Sequence, residues 1–438
     1  MLFNELNLPE EILRAVEDMG FSEATEIQSK AIPVMLEGKD LVGKSNTGTG
    51  KTAAFGIPAA VSVTRGGKNG VEVLILCPTR ELAMQACKEI EKFSAYMPWV
   101  KPCAVYGGAA MDKQISELRR GANIVVGTPG RVMDHIGRKT LKLENLRTIV
   151  LDEADEMLNM GFREDIETIL SFVPEERQTV LFSATMPPPI MAITKEYQND
   201  PVVIKVESKA RTVDTIEQKY FEVPMGRKTD ALKLLLIAYE PKLSMVFCNT
   251  KKMVDELTEA LVSKGFKAAG LHGDMKQASR TQVLSAFKSG SINVLIATDV
   301  AARGIDVEGV DCVFNYDLPQ DNEYYIHRIG RTGRAGKSGA AYTIISGRKQ
   351  FYELKNIASF IKADIARAEL PGRDEIVARK AAHVNEKILS AVESGKYESC
   401  RADVQKLMES GLSAEDIAVA LLGMRLSKDT QRHLRFTM

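Results

Sequence analysis

The stretch Ser45-Asn46-Thr47-Gly48-Thr49-Gly50-Lys51-Thr52 constrains this chain more than any other. The apolar run in Asp40-Leu41-Val42-Gly43 predicts a strand before it, and Ala53-Ala54-Phe55 predicts the start of a helix after it. Strand, glycine-rich turn and helix is the setting of a phosphate-binding P-loop. Such a turn aims backbone N–H groups at phosphate oxygens, and the helix N-terminus adds partial positive charge. Ser45, Thr47, Gly48, Thr49 and Gly50 form the expected cradle. Lys51 is placed to reach β- and γ-phosphates, and Thr52 offers a hydroxyl to Mg²⁺. The common pattern G-x-x-x-x-G-K-[ST] opens on glycine; Ser45 stands there instead and is small enough to keep the turn.

A P-loop needs a sheet to carry it. Val73-Leu74-Ile75-Leu76-Cys77, Ile124-Val125-Val126, Thr148-Ile149-Val150-Leu151 and Thr179-Val180-Leu181-Phe182 are almost wholly apolar runs. They alternate with helical stretches such as Glu81 to Phe93 and Lys113 to Gly121. Continuous apolar runs, rather than alternating ones, predict strands covered on both faces. Residues 1–207 therefore read as an α/β domain with a parallel sheet. A polar stretch from Glu207 to Thr215 reads as a linker. The pattern restarts over 213–365 with Met245 to Cys248, Val294 to Ala297, Cys312 to Phe314 and Ala341 to Ile345, but without a second P-loop. Beyond Pro371-Gly372, residues 371–438 read as helices only, with a capping box at Ser413-x-x-Asp416. Val377, Ala381, Val384, Ile388 and Ala391, spaced 4, 3, 4 and 3, make a short a/d seam. Either a dimer contact or a helical cap on the second domain accounts for it.

Bulk properties bound the partners. A chain of 438 residues implies two domains and an additional piece. With a net charge of +0 there is no basic excess, so any nucleic-acid binding must come from a local basic groove. The 6 cysteines are scattered with no C-x-x-C pair, which argues against a structural metal or a disulfide framework. The N-terminus carries no basic segment followed by an apolar one, and no run approaches a membrane span. These features predict a cytoplasmic protein with no membrane partner.

In parallel sheets, ligands gather at the carboxyl ends of strands. Pro78-Thr79-Arg80, Gly127-Thr128-Pro129-Gly130-Arg131, Asp152-Glu153 and Ser183-Ala184-Thr185 all fall at such ends. Asp152 is placed to hold Mg²⁺ by oxygen ligation, through a retained water. Glu153 beside it is placed to orient or deprotonate an attacking water. The second half carries Thr298-Asp299-Val300-Ala301-Ala302-Arg303-Gly304-Ile305-Asp306 and His327-Arg328-Ile329-Gly330-Arg331-Thr332-Gly333-Arg334. Charge developing on a transferred phosphoryl group is commonly met by an arginine supplied from elsewhere, which makes Arg331 and Arg334 candidates.

Taken in order, the motifs resemble those of the DEAD-box RNA helicases. They run from Gly20-Phe21 through Gln28, the P-loop, Pro78-Thr79-Arg80-Glu81-Leu82, Gly107-Gly108, Thr128 to Arg131, the literal Asp152-Glu153-Ala154-Asp155, Ser183-Ala184-Thr185 and Thr298 to Asp306, ending in His327 to Arg334. The resemblance implies two tandem RecA-like parallel-sheet domains, followed here by a short all-α extension. It implies ATP and Mg²⁺ as cofactors and RNA as partner. By it, Gln28 reads the adenine edge, with Phe3 and Phe21 as stacking aromatics, while Asp306 and Gly304 lie near ribose and phosphates. Arg80, Gly108, Thr128, Arg131 and Thr298 are assigned to the RNA backbone, with Pro78, Pro129 and Gly130 in the same motifs. Ser183, Thr185 and Asp155 are assigned to coupling, and His327 joins the catalytic set. Ala24 and Glu26 stand where the family commonly has proline, which predicts a less rigid entry turn. The extension resembles helices that some bacterial members use to dimerise.

The reading that follows is an ATP-dependent RNA helicase that opens short duplexes locally. A translocating DNA helicase and an ATP-gated RNA clamp are the rivals. Because the chemistry is split between the two halves, ATP and RNA are expected to bind cooperatively.

Overall fold

Val73–Leu76 shows why this chain makes buried parallel strands. All 4 residues are buried: Val73 and Ile75 join the core on one sheet face, Leu74 and Leu76 the core on the other. A strand sandwiched this way has no solvent face to mark with polar residues. A computed structural model describes residues 1–45, 49–66, 70–206, 216–303, 305, 307, 309–333, 339–395 and 397–434. The expected linker Glu207 to Thr215 lies outside the described residues. The chain divides into two units, the first built on Met1–Arg211 and the second on Thr212–Ala302 with Val307–Met438.

The first unit holds strands β1 (Leu41–Lys44), β2 (Val73–Leu76), β3 (Pro102–Val105), β4 (Ile124–Gly127), β5 (Thr148–Leu151), β6 (Gln178–Ser183) and β7 (Val202–Lys205). They form one parallel sheet in the order β3-β4-β2-β5-β6-β1-β7. Its helices are α1 (Glu10–Asp18), α2 (Glu26–Leu36), α3 (Lys51–Ser62), α4 (Arg80–Phe93), α5 (Met111–Arg119), α6 (Pro129–Gly137), α7 (Ala154–Asn159), α8 (Arg163–Phe172) and α9 (Pro188–Tyr197).

The second unit has β8 (Ile216–Glu222), β9 (Ser244–Phe247), β10 (Ala268–Leu271), β11 (Val294–Ala297), β12 (Cys312–Asn315), β13 (Gly339–Ile345) and β14 (Ala366–Ala368). Their order is β10-β11-β9-β12-β13-β8-β14. Counted from its own first strand, this is the connectivity of the first sheet. Helices α10 (Lys228–Tyr239), α11 (Lys251–Val262), α12 (Gln277–Lys288), α13 (Asp299–Ala302), α14 (Asn322–Ile329) and α15 (Gly347–Ile361) connect its strands. The likeness reaches local detail. Thr79 Oγ1 accepts from Leu82 N at the start of α4, and Thr250 Oγ1 accepts from Met253 N at the start of α11. Each threonine thus satisfies an N–H that the first turn leaves open.

The strand order partitions the polar motifs. The P-loop, Asp152-Glu153 and Ser183 follow or end β1, β5 and β6, which are neighbours. Arg80, Gly107-Gly108 and Thr128 to Arg131 follow β2, β3 and β4, the other half of the same sheet.

The extension is helical, with α16 (Arg373–Glu393), α17 (Arg401–Glu409) and α18 (Ala414–Leu434). Ile376, 1 % exposed, anchors α16, and the Arg379 guanidinium lies 4.7 Å over the Tyr239 ring of α10. Ser413 Oγ accepts from Asp416 N at 3.0 Å, and Ser413 N donates to the Asp416 carboxylate at 3.3 Å, as a capping box requires.

Candidate nucleotide and RNA sites

The P-loop is braced from three sides. Ser45 N donates to Ser183 O at 3.0 Å, tying the end of β1 to β6. The Ser45 hydroxyl lies 2.5 Å from Thr49 Oγ1. Gly50 adopts φ +90°, and a Cβ there would stand 2.4 Å from Gln28 Nε2, so glycine is required at this turn. Lys51 opens α3, is buried, and donates from Nζ to Ser45 O at 3.4 Å. Thr52 follows in the first turn. The cradle residues Thr47 and Gly48 lie outside the described residues, as do Gly304, Asp306 and Arg334.

Gln28 has both ends of its carboxamide in use. Oε1 accepts from Thr25 N at 2.9 Å and Nε2 donates to Gly50 O at 3.1 Å, while Thr25 Oγ1 donates to Thr49 O at 2.8 Å. It therefore splints α2 to the P-loop. The entry turn that lacks prolines is held by other means: Ala24 N donates to Met1 O, a bond proline could not make, and Glu26 pairs with Lys30 at 2.7 Å. Of the two expected stacking aromatics, Phe3 is 4 % exposed and packs into the core with Leu6 and Leu8. Its ring is committed to packing. Phe21 is 44 % exposed and keeps a free face.

Asp152 is 5 % exposed, and its Oδ1 finds no hydrogen-bond partner among the described residues. Burial pushes its carboxyl up to about 7, against the pull of the Lys51 ammonium. A sequestered anionic oxygen beside a lysine fits a divalent cation, and Asp152 with Thr52 would hold it. Among the described residues no cluster of three His, Cys, Asp or Glu makes a protein-only metal cage. Glu153 caps α7 at φ 51°, ψ 51°. A left-handed glutamate costs about 1–3 kcal/mol and such strain gathers at functional positions.

Asp155 links the two acidic and hydroxyl motifs. Its Oδ2 accepts from Thr185 N at 2.8 Å and from Thr185 Oγ1 at 2.9 Å. Asp155 N donates to Ser183 Oγ at 3.3 Å, and that hydroxyl donates to Thr185 O at 2.6 Å.

On the other half of the sheet, Arg80 opens α4 and lies against Gly108, whose added Cβ would stand 2.5 Å from Nη1. Gly108 has φ +85°, a conformation that calls for glycine. Pro78 is buried. The Thr128 carbonyl accepts from Arg131 N and Val132 N, Pro129 takes the first position of α6, and Gly130 follows. In the second unit, Thr298 sits at the end of β11, and its carbonyl accepts from Ala302 N at 2.9 Å. His327 lies in the last turn of α14 and Arg331 just past its end, with Arg331 Nε donating to His327 O at 3.3 Å.

Comparison with known proteins matches three family models. These are a DEAD/DEAH box helicase over residues 25–193, a helicase conserved C-terminal domain over 227–336, and an RNA helicase DeaD dimerization domain over 371–432. The DEAD-box ATP-dependent RNA helicase CshA of Geobacillus kaustophilus is 47 % identical over 98 % of this chain and 91 % of its own. The chain belongs to the DEAD-box ATP-dependent RNA helicases. The Listeria monocytogenes ATP-dependent RNA helicase CshA is 49 % identical over 98 % of this chain and 82 % of its own. Among solved structures, S. cerevisiae Dbp5 bound to RNA and ADP BeF3 aligns with a TM-score of 0.78 at 32 % identity, covering 86 % of this chain and 97 % of that one. Two RecA-like units, ATP hydrolysis and RNA binding are thereby family properties of this chain.

Two residues of this DEAD-box helicase, Arg328 and its partner Asp299, escaped sequence reasoning as site residues. Arg328 is 1 % exposed and chelates Asp299 with Nε and Nη2, while Nη1 and Nη2 also donate to Asn315 Oδ1, Asp317 O and Asn249 Oδ1. The signal was present: Tyr325, Arg328 and Ile329 share the buried face of α14. A guanidinium there demands a carboxylate. Arg328 thereby joins the segment of Thr298 to the segment of His327 and Arg331.

Among the described residues no helix is long and apolar enough to cross a membrane.

Proposed function

We propose that this helicase binds ATP on the β5-β6-β1 half of the first unit and the RNA backbone on the β3-β4-β2 half. The observation that carries this reading is the bond between Asp155 and Thr185, which joins the acidic motif after β5 to the hydroxyl motif after β6. Lys51 meets the β- and γ-phosphates. Thr52 and Asp152 would hold Mg²⁺, which would supply charge neutralisation. Glu153 orients or deprotonates the attacking water. Thr47, Gly48, Gly304 and Asp306 complete the nucleotide contacts, and Phe21 rather than Phe3 stacks on the base. Gln28 reads adenine while its amide remains tied to Gly50.

Arg80, Gly108, Thr128, Arg131 and Thr298 contact phosphates and sugars, which makes recognition blind to sequence and sensitive to the 2′-OH. Ser183, Thr185 and Asp155 couple the two ligands. Arg331 and Arg334, with His327, meet the charge on the transferred phosphoryl group. Each ligand then favours the state the other prefers, and short duplexes open locally rather than by directional tracking.

The test measures RNA affinity with and without a non-hydrolysable ATP analogue, and ATPase rates with single-stranded RNA and DNA. The reading expects reciprocal coupling of about 5–150-fold and stimulation by RNA alone. Equal RNA affinity in both nucleotide states, or equal stimulation by DNA, overturns it. Complexes that outlive many hours without strand release would favour an RNA clamp.

Residues 371–438 are read as a homodimer contact. Ile388, Leu389, Val392 and Leu421 are exposed, and a groove of about 1070 Å³ runs between α16 and α18. The Val377 side chain of the expected seam lies outside the described residues. A cytoplasmic setting agrees with five buried free cysteines and one exposed.

A further inference from the structure

We infer that Gln114 is a positioning residue for RNA binding, holding the Arg131 guanidinium through a buried network completed by His135. The inference rests on the reading of Arg131 as a backbone contact. Gln114 is 3 % exposed on α5. Its Nε2 donates to Tyr106 O at 3.0 Å, which fixes its orientation and makes Oε1 the acceptor. That oxygen accepts from Arg131 Nη1 at 3.1 Å and from His135 Nε2 at 3.0 Å. His135, fully buried, therefore carries its proton on Nε2, and Nδ1 accepts from Thr140 Oγ1 at 2.8 Å.

Arg131 Nη1 is thus committed to Gln114 and to Ala109 O at 3.2 Å, and Nε lies 3.5 Å from the Asp134 carboxylate. Nη2 makes no hydrogen bond among the described residues. One nitrogen fixes the fork so that the other is aimed. An arginine held this way meets a phosphate without first losing rotamer freedom.

The second sheet supports the assignment independently. Arg280 occupies in α12 the fourth position that Gln114 occupies in α5. It is also buried, and it donates to His272 O, the carbonyl just after β10, as Gln114 does just after β3. From there Arg280 reaches Ala301 O beyond Thr298, as Gln114 reaches Arg131 beyond Thr128. Both units place a polar pillar beneath the segment led by a candidate RNA-contacting threonine.

The experiment is a double-mutant cycle on the full chain. Affinity for single-stranded RNA with a non-hydrolysable ATP analogue is measured for the parent, Arg131→Ala, Gln114→Leu and the double variant. Nucleotide affinity and the melting temperature are measured alongside. Each single variant should weaken RNA binding about tenfold, the double variant no further, and nucleotide affinity should hold. His135→Gln, which retains an N–H at the place of Nε2, should keep RNA affinity, and His135→Leu should lose it. This pair decides the matter if Gln114→Leu folds poorly. Losses that add in the double variant, or parental affinity in Gln114→Leu while Arg131→Ala is weak, overturn the inference alone. Parental affinity in Arg131→Ala overturns the reading of Arg131 and the inference with it.

Discussion

Asp299 grips Arg328 with both carboxylate oxygens, Oδ1 on Nε at 2.6 Å and Oδ2 on Nη2 at 2.7 Å. The arginine side chain is buried and the aspartate nearly so. Removing one partner strands a charge in the interior, at a cost of about 3–5 kcal/mol. Arg328→Lys offers an ammonium point charge where a planar fork is required. Both Asp299→Asn and Arg328→Lys should lower the melting temperature and depress RNA-stimulated ATPase together. A parental melting temperature in either would remove this pair from the account.

Lys51→Ala and Glu153→Gln should separate binding from chemistry. Without the Lys51 ammonium the triphosphate charge is unmet, so productive ATP binding is lost. Glu153→Gln keeps the shape of the site and alters only the water's partner. Its hydrolysis rate should fall by roughly 10²–10⁴-fold while ATP and RNA affinities hold. A parental rate in that variant assigns the water to another residue.

The Asp155–Thr185 contact predicts a loss of coupling. Thr185→Val preserves the backbone N–H bond and deletes the hydroxyl bond to Oδ2. A hydrogen bond to a charged group of this kind is worth about 1.5–3 kcal/mol. Strand separation per ATP consumed should drop more than ATP hydrolysis itself. If the two activities fall in parallel, Thr185 serves folding and not coupling.

The extension is tested by mass. Sedimentation of the full chain should give a dimer, and sedimentation of a 1–370 truncation a monomer. A stable interface should bury on the order of 1,200 Å² or more. Equal, monomeric masses would leave the helices as a cap on the second unit.

The inner strands were legible because burial on both faces writes an unbroken apolar run, as in Val73–Leu76 and Val294–Ala297. Pro102–Val105 and Ile216–Glu222 were not, since their half-exposed residues break that run. Motifs at strand ends were legible by residue type and order. What could not be read was how each side chain is occupied. Phe3 has the same aromatic ring as Phe21, but only tertiary packing sends it into the core. Arg328 reads as one more arginine in a basic run until α14 turns it inward. Gln114 has no motif neighbour in sequence; it meets Arg131 only because β3 and β4 lie side by side.

The matching connectivity of the two sheets sets a stoichiometry. Lys228 opens α10 after the first strand of its sheet, as Lys51 opens α3 after the first strand of its own, and Asp317 follows β12 as Asp152 follows β5. The twins are used differently. Lys228 Nζ is tied to Tyr316 O at 2.9 Å and lies 3.9 Å from Asp317. Among the described residues Lys51 makes only a long bond of 3.4 Å to Ser45 O, and Asp152 Oδ1 has no hydrogen-bond partner. In one copy the lysine–aspartate pair is a strut; in the other, on the proposed reading, it is left to meet the nucleotide. Calorimetric titration with nucleotide should therefore count one molecule per chain, although the chain carries the same wiring twice.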